Sequence, residues 1–189
     1  APGSYVVTEA ALAGWDLTNI VITGDNDNGS TIDIPNREIT IDVDVGEIIT
    51  VTYANTKRGS ITVTKDADPD DSQDFSFTGT GSIGGFTLDD DADNTLPNMQ
   101  TFANLAPGSY IITEAMLAGW NLTGITIVDP DGGSSFDLLT GAAPLDLDPC
   151  QAIQIPFLNR IPPAFRRRHV HHPDSSGCDT VRPHTCRAR

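Results

Sequence analysis

Short runs in which apolar and polar side chains alternate recur along the chain, separated by clusters of Gly, Pro, Asp and Asn. In Gly59-Ser-Ile-Thr-Val-Thr-Lys65 the apolar residues are Ile61 and Val63. In Gly108-Ser-Tyr-Ile-Ile-Thr-Glu114, Tyr110 and Ile112 share one face. In the run ending at Asn159, Ile153, Ile155 and Phe157 do so. A period of two belongs to a half-buried strand, and no stretch shows a helical period of useful length. The pattern predicts strands near 59–65, 74–78, 83–88, 99–104, 109–115, 122–128, 134–139 and 152–159, with turns and Asp-rich loops between them. Several short strands at this spacing with no intervening helices predict an all-β fold, an antiparallel sandwich.

The pattern also repeats. Ala1-Pro-Gly-Ser-Tyr5 aligns with Ala106-Pro-Gly-Ser-Tyr110, and the match continues through Glu9/Glu114, Gly14/Gly119, Trp15/Trp120 and Leu17/Leu122. It returns at the far end, where Ile49 to Asn55 parallels Ile153 to Asn159. The stretch 56–105 has no earlier counterpart. Residues 1–57 therefore read as the C-terminal half of one repeat and 58–160 as a complete one, within a longer array. Trp120, between Gly119 and the stretch leading to Leu122, is expected to plug one end of the core.

Three inward-facing rows run into polar residues. The row of Ile61 and Val63 continues to Lys65, that of Tyr110 and Ile112 to Glu114, and that of Ile153, Ile155 and Phe157 to Asn159. Lysine and glutamate are almost never buried unpaired. One arrangement that satisfies them is a buried Lys–Glu ion pair with the asparagine hydrogen-bonded beside it. The other is chemistry. In a dry site burial favours the neutral amine and the neutral carboxylic acid, so the lysine becomes a nucleophile and the glutamate a proton donor. Beside an amide carbonyl, such a pair can join Lys65 Nζ to Asn159 Cγ with release of ammonia. In the half-repeat Glu9 and Asn55 occupy matching positions, without a lysine to meet them.

Charge narrows the choice of partners. The net charge is −15, and of eleven Lys and Arg only Arg37, Lys57, Arg58 and Lys65 precede residue 160. So acidic a body repels the phosphates of nucleic acid, which argues against it as a ligand. No apolar run is long enough to span a membrane. The cysteines, Cys150, Cys178 and Cys186, are odd in number and do not make a disulfide scaffold. Residues 1–168 hold no histidine, and no Ser/His/Asp, Cys/His or open metal constellation is present in the body, so the chain reads as non-enzymatic.

The sequence Gly59-Ser-Ile-Thr-Val-Thr-Lys65, followed by Ala106-Pro-Gly-Ser-Tyr-Ile-Ile-Thr-Glu114 and a last strand ending in Asn159, resembles the Cna-B or SpaA-type prealbumin-like repeats of bacterial surface proteins. The resemblance spans roughly residues 1–160. It implies a transthyretin-like Greek-key β-sandwich serving as a stalk module in adhesins and pilus subunits, extracellular or at the cell surface, with neighbouring repeats as its partners. It also implies a self-formed cross-link in which Lys65 is the nucleophile, Asn159 the electrophile and Glu114 the proton shuttle. Pro156 and Arg160 depart from the simplest strand pattern.

Several loops concentrate oxygen ligands: 24–29, 66–71, Asp129 to Gly132 and, above all, Asp89-Asp-Asp91-Ala-Asp93. None has the full calcium-loop signature. Asp89, Asp91 and Asp93 are the leading Ca²⁺ candidates, although the fold requires no cofactor. A Ca²⁺-dependent or carbohydrate-binding sandwich is accordingly the alternative to a stalk, with an extracellular ligand that the residues do not identify. Residues 161–189 carry all four histidines, two of the three cysteines and a run of arginines, Arg166 to Arg168. No strand or helix period appears there, and disorder is expected in preference to a metal site.

Overall fold

The computed structural model describes residues 1–91, 93 and 95–163. The His- and Cys-rich stretch for which disorder is expected lies outside the described residues from position 164 onward. Thirteen strands form among the described residues. The first five are β1 (Gly3–Thr8), β2 (Trp15–Thr23), β3 (Thr31–Asp33), β4 (Glu38–Val43) and β5 (Thr50–Lys57). Then come β6 (Gly59–Asp68), β7 (Asp71–Gly79), β8 (Gly84–Asp90), β9 (Met99–Leu105), β10 (Gly108–Glu114), β11 (Asn121–Ile125), β12 (Ala142–Leu147) and β13 (Ala152–Arg160).

Strands β6 to β13 build two four-stranded sheets, in the orders β12-β10-β7-β8 and β11-β13-β6-β9. Their inner faces enclose one core of Ile61, Val63, Phe75, Phe77, Leu88, Ile112, Leu145, Ile153, Ile155 and Phe157, among others. The period of two is visible directly in burial: β6 buries Ile61, Val63, Lys65 and Ala67, and β13 buries Ile153, Ile155, Phe157 and Asn159. Trp120 is half-buried, its ring edge-on to Phe75 at a centroid separation of 5.3 Å, and closes one end of this core.

One pairing departs from the antiparallel rule. The first and last strands of the sandwich, β6 and β13, are parallel neighbours, in register from Ser60 opposite Ala152 to Asp68 opposite Arg160. Both therefore run toward the same end of the sandwich, where Arg160 pairs with Asp68 at 3.1 Å.

The predicted strand at 134–139 is corrected. The strand of this region is β12, eight residues later. Leu138 and Leu139, which complete an apolar pattern on paper, are exposed, Leu139 by 90%. Pro144 argues against a strand at 142–147, but β12 lies at a sheet edge and tolerates it. The Pro144 carbonyl turns outward and accepts from Ser135 N at 2.9 Å. In an antiparallel pair N and C=O of one residue point to the same side, so the missing N–H also faces away from β10.

The first five strands duplicate part of this architecture. Strands β1 and β4 pair as β10 and β12 do, and β2 with β5 as β11 with β13, even to a register shift at Leu17/Asn19 matching that at Leu122/Gly124. Tyr5 and Tyr110 each donate their hydroxyl to the carbonyl four residues earlier, both at 2.7 Å. No counterpart of β6 to β9 covers these strands among the described residues. The consequence is exposure: Val7 is 43% exposed where its counterpart Ile112 is fully buried.

Candidate cross-linking site

Strand alternation brings three polar groups into the core. Lys65 lies opposite Phe157 on β13, and Asn159 lies opposite Ala67 on β6. Residues two apart on a strand share a face, so the parallel register sets the Lys65 and Asn159 side chains diagonally adjacent, both pointing inward. Glu114 comes from the facing sheet, at the end of β10, where it pairs with Phe77 of β7. Its backbone is held on both sides: Glu114 N donates to Gly141 O at 3.0 Å, and Ala115 N to Ser76 O at 2.9 Å. Gly141 has φ of 68°, and a Cβ there would stand 2.6 Å from Glu114 O, so the close approach needs glycine. Lys65, Glu114 and Asn159 are exposed by only 1%, 2% and 2%.

The asparagine carboxamide lies between the two ionisable groups. Lys65 Nζ donates to Asn159 Oδ1 at 3.1 Å, and Asn159 Nδ2 donates to Glu114 Oε1 at 2.7 Å. Two backbone carbonyls also accept from Nζ: Asp66 O at 2.7 Å and Phe157 O at 3.3 Å. Three acceptors match the three protons of an ammonium. Once one proton leaves, the two carbonyls can hold the remaining N–H groups and leave the lone pair for the carboxamide. Nζ also stands 4.1 Å from the centre of the Phe75 ring.

Burial acts on both ionisable groups in the direction chemistry needs. It pushes the Lys65 amine down to about 8, against the opposing pull of Glu114, Asp66 and Asp90. It raises the Glu114 carboxyl above the usual carboxylate range, with the Lys65 charge and the Asn159 hydrogen bond opposing. Glu114 Oε2 finds no hydrogen-bond partner among the described residues. A buried carboxylate oxygen left bare is expensive, and protonation relieves it.

In the half-repeat the matching pair meets differently. Asn55 Nδ2 donates to Glu9 Oε1 at 2.6 Å, but Arg37 fills the cation's place, with Nη2 at 2.6 Å from Glu9 Oε2 and 3.4 Å from Asn55 Oδ1. Arg37 is absent from the sequence expectations. Its signal was available, because it is the sole Lys or Arg among residues 1–56. A guanidinium stays protonated and is no nucleophile.

Three of the acidic loops fall into two kinds. Asp89, Asp91 and Asp93 come together, as do Asp25, Asp27 and Glu47. In the loop Asp129 to Gly132, the Gln151 amide nitrogen donates to both Asp129 and Asp131 and closes the space a cation would need.

The sandwich is a β-domain whose first and last strands pair in parallel and whose core encloses this triad of polar groups. The family model described as a prealbumin-like fold domain, of the SpaA type, matches residues 61–154, and the domain formed by β6 to β13 belongs to that family. Among solved structures, a bacterial adhesin from Mobiluncus mulieris containing intramolecular disulfide, isopeptide and ester bond cross-links is 17% identical, with a TM-score of 0.42, covering 68% of this chain and 45% of its own. The major pilin from Streptococcus pyogenes is 13% identical, with a TM-score of 0.35 and coverages of 85% and 71%. The C-terminal fragment of pilus adhesin SpaC from Lactobacillus rhamnosus GG is 17% identical, with a TM-score of 0.33 and coverages of 86% and 78%. This chain thus spans less than half the length of the Mobiluncus structure. No curated protein matches it in sequence.

Proposed function

We propose that this chain is a non-enzymatic structural module of a secreted or cell-surface bacterial protein, stabilised by an isopeptide bond that its own side chains form. The observation that carries this reading is the Asn159 carboxamide seated between the Lys65 amine and the Glu114 carboxyl in a buried core. The neutral Lys65 amine attacks Asn159 Cγ. Glu114 takes a proton from Nζ and delivers one to Nδ2, which leaves as ammonia when the C–N bond breaks. The product is one amide between β6 and β13, and Glu114 ends in the state in which it began. The chain acts on nothing but itself, and its partners are neighbouring units of the same chain. No helix among the described residues is long and apolar enough to cross a membrane.

Intact-mass measurement tests this directly. The purified protein should be lighter than its sequence by one ammonia, and tryptic digestion should release a branched peptide joining the segments around Lys65 and Asn159. A full sequence mass for folded protein ends the proposal.

Refolding from the unlinked state should show a pH dependence with two limbs. The reactive pair, neutral amine with protonated carboxyl, holds the same number of protons as the ion pair, so between the two pKa values its share is set by burial rather than by pH. Above about 8 the last proton is lost. Below the raised carboxyl pKa the amine is charged beside a neutral acid. The rate of ammonia loss should therefore form a plateau bounded by these two limbs. A rate that keeps rising tenfold per pH unit well past 8 would rule out a proton donor in the slow step.

We also propose that residues 58–160 are the complete unit and 1–57 the C-terminal half of another. The exposure of Tyr5, Val6 and Val7 and the absence of covering strands among the described residues support this. Limited proteolysis should digest 1–57 first and leave a resistant core near 58–160. A resistant fragment that spans Thr56 to Gly59 but lacks 100–159 would contradict it. The Glu9/Asn55/Arg37 cluster should contribute no cross-linked peptide to the digest.

A further inference from the structure

We propose that Asp89, Asp91 and Asp93, where β8 passes into the loop toward β9, bind a divalent cation of the calcium class. The inference does not depend on the cross-link. Asp89 is 1% exposed, yet its Oδ1 has no hydrogen-bond partner among the described residues, and its Oδ2 receives only the Thr95 hydroxyl at a long 3.3 Å. Buried carboxylates are normally saturated with donors, so a bare oxygen in this position calls for a ligand. One carboxylate oxygen from each of the three aspartates lies within 4.8 Å of the others. Oxygens that bind Ca²⁺ stand 2.3–2.6 Å from it, so two on opposite sides lie about 5 Å apart, and this spacing fits a single ion.

The loop is already shaped around those oxygens. Asp91 Oδ1 accepts from Asp93 N at 2.8 Å and Asp93 Oδ1 from Thr95 N at 2.7 Å, which fixes both carboxylates while leaving each a second oxygen. Asp89 N donates to Pro97 O, closing the loop back over the aspartate. Asp74 on β7 adds a further negative charge to the field at Asp89. Lys65, the sole Lys or Arg between residues 59 and 159, is committed to Asn159 and two backbone carbonyls. Without a cation nothing among the described residues offsets the mutual repulsion of the three carboxylates with a positive charge.

The other acidic clusters lack this combination. Gln151 occupies the loop of Asp129 and Asp131. In the Asp25, Asp27 and Glu47 group, Asp25 Oδ1 also has no hydrogen-bond partner among the described residues, but Asp25 is only partly buried, and both Glu47 oxygens already accept from backbone, from Asn26 N and Asp44 N, each at 2.8 Å.

The position gives the ion a structural task. Strand β8 lies at the edge of one sheet and β9 at the edge of the other, so the loop between them is a crossover from sheet to sheet. The same loop presents Asn98 O to the Lys65 N–H at 2.7 Å. A bound ion therefore clamps the crossover that supports the lysine's backbone.

The test is calcium titration of the full chain after chelator treatment, by calorimetry and thermal unfolding, with magnesium as comparison. The expected dissociation constant is on the order of 10⁻⁴–10⁻³ M, as for extracellular calcium modules. At a tenfold excess over it, the melting temperature should rise by about 5–10 °C. Magnesium should be at least tenfold weaker, because it demands a tighter octahedron. Asp89→Asn should abolish the calcium response while leaving the metal-free melting temperature unchanged or higher, since it removes like-charge repulsion. Should that variant fail to fold, Asp91→Asn with Asp93→Asn, which keeps Asp89, decides: a loss of at least tenfold in affinity is expected. Asp25→Asn with Asp27→Asn should respond as the parent does. Absence of any calcium response in the parent, an undiminished response in the Asp91/Asp93 variant, or its disappearance in the Asp25/Asp27 variant overturns the assignment.

Discussion

Lys65→Met is expected to restore one ammonia to the intact mass and to lower the melting temperature of the sandwich by about 20–35 °C. The proposed bond would join positions 94 residues apart. In the chain-entropy picture a cross-link closing such a loop restricts the unfolded ensemble by about 4.7 kcal/mol. Each kcal/mol moves the melting temperature of a domain near 100 residues by roughly 4–8 °C. Methionine isolates this term, because it fills the aliphatic part of the lysine's volume and brings no buried charge. Asn159→Ala loses the same bond and also leaves a buried amine and carboxyl without their bridge, so it should melt lower still. Equal melting temperatures for the parent and Lys65→Met, measured without reductant dependence in either, would show that packing alone holds the sandwich.

Glu114→Gln is expected to give a folded domain that stays at its full sequence mass. The glutamine keeps the shape and an oxygen to accept from Asn159 Nδ2, but it carries no proton to deliver to the leaving nitrogen. Loss of a general acid or base costs roughly 10²–10⁴ in rate, enough to separate a bond that forms during folding from one that takes days. Glu114→Ala should also fold unlinked, at a lower stability, since it strands the Asn159 amide donor in the core. In both variants the Lys65 amine, left free, should titrate below the value it has beside Glu114 before linkage, because the Glu114 charge is the largest influence holding it up. Complete cross-linking of Glu114→Gln at the parent's rate would remove the carboxyl from the mechanism and leave desolvation of the lysine as the sufficient cause.

The direction of the strands would give the proposed bond a mechanical meaning. The chain enters the unit at the start of β6 and leaves at the end of β13, and these strands are parallel neighbours. Tension between those points shears the β6–β13 ladder along its length. A covalent bond from Lys65 to Asn159 would carry that load directly and keep it from β7 to β12, which all lie between the two residues. The proposed calcium at Asp89 would act elsewhere, on the crossover between sheet edges, so the two proposed devices would protect different parts of one unit.

Much of this was legible in the residues alone. Alternation identified most of the strands and showed that Lys65, Glu114 and Asn159 each continue an apolar row, because a period of two assigns side chains to faces without reference to any partner. The duplicated Ala-Pro-Gly-Ser-Tyr segment marked the repeat for the same local reason. Where local pattern and packing disagree, packing prevails: residues 134–139 alternate well and yet flank the edge strand, while Ala142 to Leu147 accommodate a proline because an outward edge needs no ladder bond there. A face says nothing about which strands are neighbours. Only the parallel register of β6 with β13 places Asn159 two positions beyond the point opposite Lys65, and only the closure of two sheets brings Glu114 over both. The occupation of Glu9 by Arg37 and the burial of Asp89 beneath its own loop likewise belong to the tertiary structure, since each depends on contacts between segments whose separation along the chain carries no periodic signal.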